Sequence, residues 1–482
     1  MVLRALAGPG RSLLVGLRRD HIAACCLGLS YIAFFATMVV LPSPIFWEVV
    51  PRHVGTIETQ YRSLLLYLSD IPLLIAVFAW TLGHILRPSR PLCFGPWYIA
   101  GPALAIMLLT ALSPIWAHAA PIAAETAGRT IILFGLYLIA ANEPRVQRLL
   151  AWALAVVVLV NAPLALMQFT TQAPAGLGFL GELQWYENTP GAWLRGYGLS
   201  LHPNVLGGFL ALGLLGLIGL KMAGNGFVVA SVRARSANIL VRVAYTGALA
   251  LGVAGLLSTF SRSAWLGFGG GLMYFCFLTL RQVGVRRALP SLSLSILPLI
   301  VVSLVFMFFN SGKLTTRLVL PVASVLRDEA VPGAQLEMGV LEERNRLHQG
   351  AIGLIATEPV LGVGAGNFTI AYYEQVGPFK PYMFYQPEHN VPLLVTAELG
   401  PLGGIAWLFL VVAPLVVSLR GAFRDASIWP YVWAAAILAV LLISGFDFYF
   451  WERQQGRVLF WVLLGVWAAL SRQAYGLQRS PD

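Results

Sequence analysis

The sequence predicts an all-α polytopic membrane protein with about twelve transmembrane helices and one large, mostly helical loop on the outward side. Of its 482 residues, 58% are hydrophobic and only 11% are charged, whereas an ordinary soluble protein has about 25% charged residues. Apolar runs of about 20 residues, long enough to cross the hydrocarbon core as a helix, recur along the chain. Residues 310–388 differ, because they contain many charged and aromatic side chains and no such run.

Twelve apolar segments can be drawn as spans, and the fourth of them carries Glu125 and Arg129 near one end. They divide the chain into a nine-span bundle (residues 1–309), a cap loop (310–388), and three further spans with a tail (389–482). The predicted spans are residues 22–42, 63–86, 97–117, 122–141, 148–170, 203–221, 240–258, 262–280, 289–309, 390–419, 430–447 and 456–471.

The distribution of basic residues predicts the orientation, because cytoplasmic loops of membrane proteins are rich in Lys and Arg. With the N-terminus inside, the cytoplasmic segments hold 19 of the 32 Lys and Arg residues and only four acids. We therefore expect a multi-pass protein of the cytoplasmic membrane, with both termini in the cytoplasm and the cap facing outward. A nucleic-acid-binding surface is not expected, since no basic stripe is interleaved with aromatics on one soluble domain.

The first span and the cysteines are expected to be structural. The apolar run that begins at residue 22 is too long for the core of a secretory signal, so we expect this span to be retained. The four cysteines, Cys25, Cys26, Cys93 and Cys276, show neither disulfide nor metal-ligand spacing.

Two charged residues fall inside predicted spans. Asp70 lies about two turns into the second span, and Arg129 lies in the fourth. A charge at such depth is costly unless it is paired. Asp70 is therefore either a partner for an arginine of a functional site or a locally hydrated group near the interface. The same alternatives hold for Arg129.

Two short outward segments present an arginine at the membrane surface. Arg195 begins the run Arg-Gly-Tyr-Gly-Leu-Ser-Leu-His-Pro-Asn, in which Pro203 and Asn204 suit the start of a helix. Arg262 lies in the short turn 258–263, which cannot lift it far from the hydrocarbon. Guanidinium groups and helix N-termini both favour phosphate oxygens. Each arginine is alternatively an ordinary interfacial side chain that meets water or lipid headgroups.

The cap contains a predicted helix over residues 341–357, on which Arg344 and His348 share a face. We expect this helix to end at Glu358-Pro359. The glycine run that follows, residues 362–368, comes after a helix rather than a strand, so it is expected to be a tight turn and not a dinucleotide-binding loop.

His389 stands where the cap rejoins the membrane. Asn390 is a plausible N-cap of the tenth span, with Pro392 in its first turn. Glu388 and Glu398 flank the histidine, and a carboxylate can orient an imidazole and raise its basicity. The alternative is a hydrogen-bonded interfacial histidine. No second His or Asp stands at metal-ligand spacing, so no metal is expected.

In their order along the chain, these motifs resemble those of the O-antigen ligase and O-antigen polymerase superfamily of bacterial membrane glycosyltransferases. The resemblance covers roughly residues 195–470 and includes the large loop between spans 9 and 10. It rests on Arg195-Gly-Tyr-Gly with His202-Pro203-Asn204, Ser261-Arg262-Ser263, Arg344, Glu358-Pro359 with the glycine run to Phe368, His389-Asn390, and Glu398-Leu-Gly400.

The resemblance implies a GT-C-like fold and a metal-independent, inverting transferase without a cofactor, in the bacterial inner membrane with its site facing the periplasm. The donor would be an undecaprenyl-diphosphate-linked glycan. His389 would be the general base, and Arg195 and Arg262 would hold the diphosphate. Supporting roles would fall to Arg344, which would orient the cap, and to His202, Asn390, Glu398 and Asp70.

The acceptor and the kind of activity have alternatives. A ligase would use the lipid A–core sugar as acceptor, whereas a polymerase with the same motifs would use the growing glycan. We expect the ligase. A transporter of the same layout is a further alternative, but transporters have broken helices and charged groups near the bilayer midplane, whereas the candidate residues here gather near the outer surface.

Overall fold

The computed structural model of the protein describes residues 9–54, 57–58, 63–87, 91–183, 193–224, 239–327, 335–377, 386–420 and 427–474. Most of this part of the chain is helical. The helices are α1 (Pro9–Val40), α2 (Asp70–Leu86), α3 (Trp97–Leu112), α4 (Ala120–Asn142), α5 (Val146–Thr171), α6 (Pro203–Gly224), α7 (Ile239–Ser258), α8 (Arg262–Val283), α9 (Val285–Phe309), α10 (Ser311–Leu314), α11 (Leu320–Arg327), α12 (Gln335–Thr357), α13 (Phe368–Val376), α14 (Val391–Leu419), α15 (Trp429–Ser444) and α16 (Gln454–Ala474).

Nine of the described helices are long and apolar enough to cross a membrane: α1, α3 to α9, and α14. Two other predicted spans coincide with the shorter apolar helices α2 and α15, and the last predicted span lies within α16. An all-α polytopic membrane protein is therefore confirmed. The count of twelve spans stays a prediction.

The prediction that a helix begins at residue 63 is wrong. Residues 64–67 form strand β4 (Leu64–Tyr67), which pairs antiparallel with β1 (Phe46–Val50). Within this hairpin, β2 (His53–Val54) pairs with β3 (Ile57–Glu58). Hydropathy cannot separate a short apolar strand from the start of a helix. The helix begins only at Asp70, whose Oδ2 accepts a hydrogen bond from the Tyr67 amide at 2.9 Å.

The centre of the bundle is α6. In its most apolar stretch of 18 residues, 94% of the residues are buried inside the protein. The helix packs against α5, α7, α8 and α15. Close approach of the neighbouring α5 and α7 depends on Gly255, where an added Cβ would lie 2.6 Å from the Cα of Ala162. Small residues allow this kind of helix contact in a bilayer, where apolar burial gives little drive to associate.

The described part of the cap is helical and rests on the bundle. A π-helical turn (Thr315–Val319) lies between α10 and α11, and α12 packs against α13 and α14. The predicted helix at 341–357 is the C-terminal part of α12, which starts earlier and ends before Glu358-Pro359 as expected. Treating residues 310–388 as a separate domain stays a prediction.

Candidate active site

The candidate residues lie at one end of the bundle, where α6, α8 and α14 begin; we call it the site end. The helix starts follow from local sequence. Pro203 opens α6, Ser261 caps α8 by accepting from the Ala264 amide, and Asn390 Oδ1 caps α14 by accepting from the Leu393 amide at 3.0 Å. The expected N-cap role of Asn390 is thus confirmed.

Arg195 is held by main-chain and side-chain oxygens. Its Nε donates to the Thr259 carbonyl at 2.7 Å, and its Nη2 donates to Asn204 Oδ1 at 2.5 Å. The next residue, Gly196, donates from its amide to the Ser258 carbonyl at 2.9 Å. An added Cβ at Gly196 would lie 2.5 Å from the Ala165 carbonyl oxygen of α5 and 2.6 Å from Ser258 Oγ of α7, so the glycine is needed for the segment that carries Arg195 to pass close to both helices.

The turn between α7 and α8 gathers two further guanidinium groups. Arg262 Nη1 donates to the Arg317 carbonyl at 3.2 Å, and Arg317 Nε donates to the Phe260 carbonyl at 3.2 Å. Together with the bond from Arg195 to Thr259, this places three arginines around one short turn. Arg317 is not recognisable as a site residue from the sequence, because the cap sequence alone gives no signal that it folds back onto this turn.

Phe260 fixes the shape of this turn. It is fully buried and has φ of 48°, a conformation that is uncommon for a residue other than glycine. Its ring packs against four aromatic neighbours, and this packing offsets the backbone cost. The neighbours are Phe169, Trp193, Trp265 and Phe306.

Asp447 joins the α6 start to the turn after α15. Its Oδ2 accepts from Asn204 Nδ2 at 2.7 Å, so Asn204 links Arg195 to a carboxylate. Burial raises the pKa of Asp447 to about 6, against the opposing effects of Arg344, Asn204 and Arg195. No local feature of the sequence connects Asp447 with Asn204, because the two residues are 243 positions apart.

His389 presents a neutral imidazole at the site end. Its ring meets Phe448 edge to face, with centroids 4.9 Å apart. Burial, and then the charge of Arg344, lowers the pKa of His389 to about 3. Its buried Nδ1 has no hydrogen-bond partner among the described residues. The imidazole is therefore uncharged at neutral pH and can accept a proton.

The expectation that Glu388 orients His389 is wrong. The Glu388 carboxylate accepts from the Asn390 amide at 2.9 Å and lies 3.5 Å from Nδ1 of His348. It thereby links the cap helix α12 to the start of α14. Burial raises the pKa of Glu388, partly offset by these hydrogen bonds and by nearby positive charge.

Glu398 does not orient His389 either. It is 1% exposed and accepts from Trp451 Nε1 at 2.9 Å and from the Phe368 amide at 3.3 Å. The run at 362–368 is the expected tight turn, with positive φ at Gly362, Gly364 and Gly366. Glu398 therefore anchors this turn to α14.

His202 lies among the positive groups of the site end. Its Nδ1 accepts from the Asn204 amide at 3.1 Å. Loss of solvation lowers the pKa of His202 below its usual value, and the positive charges of Arg195, Arg453 and Arg317 add to this effect. Groups remote in sequence therefore share one electrostatic environment.

Asp70 belongs to another cluster. It is the first residue of α2, not two turns inside a span, and it is 5% exposed. Its carboxylate bonds to Arg129 Nη1 at 3.2 Å and Gln454 Nε2 at 2.6 Å. Asp70 and Arg129, the two charged residues predicted inside spans, thus form an ion pair with each other. Neither contacts Arg195 or Arg262.

These features define a membrane-embedded protein with a cluster of arginines, which we call the arginine crevice, and a neutral histidine at one end of its helical bundle. Residues 247–408 match the family model described as O-antigen ligase, and the resemblance drawn from the sequence is thereby confirmed. The matched stretch includes Arg262, Arg317, Arg344 and His389 but not Arg195. No curated protein matches the chain.

Proposed function

We propose that the protein is a glycosyltransferase that moves a glycan from an undecaprenyl-diphosphate donor to an acceptor hydroxyl, as an O-antigen ligase with lipid A–core as acceptor. The observation that supports this most is the gathering of Arg195, Arg262 and Arg317 around residues 259–262. This gathering would give a diphosphate several fixed donors at the membrane surface. The match to the O-antigen ligase family points the same way.

The arginines would act on the leaving group. Charge develops on the diphosphate as its bond to the anomeric carbon breaks, and preorganised donors aimed at that charge lower the barrier. The N-termini of α6 and α8 add partial positive charge at the same place. Two or three guanidinium groups could supply this stabilisation without a divalent ion.

His389 would act on the acceptor. The acceptor oxygen attacks the anomeric carbon with inversion, its proton passes to the imidazole, and the electron pair of the broken bond leaves with the diphosphate. A pKa of about 3 in the protein alone makes a weak base. A bound diphosphate would raise the pKa, because a nearby anion favours the charged imidazolium. Donor binding would therefore switch the base on.

The site end would face the periplasm. This orientation follows from the excess of Lys and Arg at the other end of the bundle, such as Arg286 and Arg287 in the first turn of α9. Polymerised glycan on a polyprenyl carrier would meet the acceptor on that side, and both prenyl tail and acceptor lipid would lie in the outer leaflet.

A transfer assay with purified protein and a defined undecaprenyl-diphosphate glycan tests the proposal. We expect His389→Ala to lower kcat by about 10²–10⁴-fold, whereas His21→Ala, an exposed residue of α1, leaves it unchanged. A chelator should not change the rate. Unimpaired turnover by folded His389→Ala protein would remove this histidine from the mechanism. A lengthened glycan on the carrier, rather than glycan on lipid A–core, would identify a polymerase.

A further inference from the structure

A second, polar cavity lies at the site end, beyond the turn that connects α15 to α16. Its volume is about 70 Å³, room for a few waters at about 30 Å³ each or one phosphate-sized group, but too small for a sugar chain. The ends of α4 and α16, strand β4 and the glycine turn at Gly366 enclose it. It is separate from the crevice around Arg195 and Arg262.

Arginine is the main polar component of its wall. Arg129, Arg453 and Arg457 line the cavity with two acids, Glu125 and Glu452. Glu125 is neutralised by an ion pair with Arg52, and Arg129 is paired with Asp70.

The charge balance of the remaining wall is positive. Arg453 and Arg457 line it together with one carboxyl group, that of Glu452, and the buried Glu398 behind the wall also acts on Arg457. Burial raises the pKa of Glu452, against the influence of these two arginines, and this favours its neutral form. The cavity therefore favours an anion with several oxygens, which guanidinium groups bind in bidentate fashion.

An apolar chamber adjoins the polar cavity. Its volume is about 210 Å³, and it shares Leu64, Glu125, Arg129 and Gln454 with the polar cavity. Leucine and isoleucine side chains of α2, α4 and β4 form most of its other walls. Leu66 and Leu74, at its edge, are 38% and 45% exposed. In a bilayer these side chains face the acyl chains, so the chamber opens sideways to lipid.

We propose that the two chambers together bind a phosphate-bearing amphiphile from the membrane, with its phosphate on Arg453 and Arg457 and part of its chain in the apolar chamber. The site goes beyond the proposed transfer, and its binding can be measured without any glycan donor. The residues that line the two chambers do not include Arg195, Arg262 or His389. Arg453 lines the polar cavity, and its positive charge also lowers the pKa of His202 near Arg195.

The test uses purified protein in uncharged detergent and three probes: dioctanoyl phosphatidic acid, dioctanoyl glycerol and inorganic phosphate. We expect saturable binding of phosphatidic acid, measured by native mass spectrometry, and weak or no binding of the glycerol. Arg457→Gln should weaken phosphatidic acid binding by about tenfold or more, because a charge-assisted contact is lost. Arg346→Gln, an exposed cap residue paired with Glu342, is the matched control.

A second variant tests the chain chamber and does not depend on removing a charge. An added Cβ at Gly128, which lines the chamber, meets no atom within 4 Å, so Gly128→Leu can fill the space without a clash. It should weaken phosphatidic acid binding and leave inorganic phosphate binding unchanged. Gly101→Leu is the control, because that position on α3 is equally open.

Three outcomes would overturn the proposal. Equal binding of phosphatidic acid and dioctanoyl glycerol would exclude a phosphate site. Unchanged binding in both Arg457→Gln and Gly128→Leu would place the lipid elsewhere. Phosphate binding as tight as phosphatidic acid binding, with no effect of Gly128→Leu on either probe, would indicate an anion pocket without a chain site. His389→Ala should bind phosphatidic acid normally, so failure of the proposed transfer leaves this test intact.

Discussion

Arg262 differs from the other two arginines of its turn in what it offers a ligand. All three arginines donate to main-chain carbonyl oxygens: Arg195 to Thr259, Arg317 to Phe260 and Arg262 to Arg317. Arg262 is the first residue of α8, where the helix N-terminus also attracts an anion. We therefore assign Arg262 the largest share of the proposed diphosphate contact.

Substitution of Arg262 tests that assignment. Arg262→Ala should lower kcat/KM for the lipid-diphosphate donor by about 10²-fold or more, since a donor to the leaving group is lost. Arg262→Lys should recover only part of the rate, because a point charge cannot reproduce a bidentate fork. Arg287→Ala, at the opposite end of the bundle, is the control. Full kcat/KM in folded Arg262→Ala protein would contradict the assignment.

Arg344 acts on His389 through charge. The positive guanidinium lowers the pKa of the imidazole, second to burial. Arg344→Gln should therefore raise the pKa of His389 and move the acid limb of the kcat/KM profile to higher pH, since that limb reports the base of the free enzyme. Arg346→Gln, two residues away on the exposed face of α12, should leave the profile in place. Coincident profiles for all three proteins would show that Arg344 acts only by holding the cap.

At the scale of elements, the start of α14 and the glycine turn form one unit. Val363 and Gly364 donate from their amides to the carbonyls of Ala397 and Glu398, both at 2.9 Å. An added Cβ at Gly362 would lie 2.5 Å from the Ala397 carbonyl oxygen. The Glu398 side chain completes the unit through Trp451 and Phe368. This unit holds the end of the cap against the last two spans.

Loss of the Glu398 carboxylate should loosen that unit. Glu398→Ala leaves buried donors of Trp451 and Phe368 unsatisfied, at a cost of about 1–3 kcal/mol, and should lower the melting temperature of the purified protein. Glu358→Ala, at an exposed position after α12, should not. If Glu398→Ala lowered the rate of transfer without changing the melting temperature, Glu398 would instead have a direct role in the proposed reaction.

The elements divide into those the sequence could predict and those it could not. Helix starts at Pro203 and Asn390 and the turn at 362–368 depend on local backbone chemistry, and they were predicted correctly. The strand at 64–67 depends on pairing with β1, and the partners of Glu388 and Glu398 depend on packing between distant segments. Neither strand pairing nor packing between distant segments can be recognised from hydropathy or from the spacing of residues.

The same distinction holds for the site. Arg195, Arg262 and His389 could be selected because each sits beside a recognisable helix start. Arg317 and Asp447 could not, because their importance comes from contacts with residues 57 and 243 positions away along the chain. Sequence reasoning thus found the groups at element ends and missed those that join the elements.

At the scale of the whole molecule, the proposed function depends on which leaflet the site end faces. Gln349 on α12 and Arg286 in the first turn of α9 are exposed and lie at opposite ends of the bundle. In a variant without the four native cysteines, Gln349→Cys should react in intact spheroplasts with a maleimide that cannot cross the membrane. Arg286→Cys should react only after lysis. The reverse pattern would put the site end in the cytoplasm and would contradict the ligase proposal.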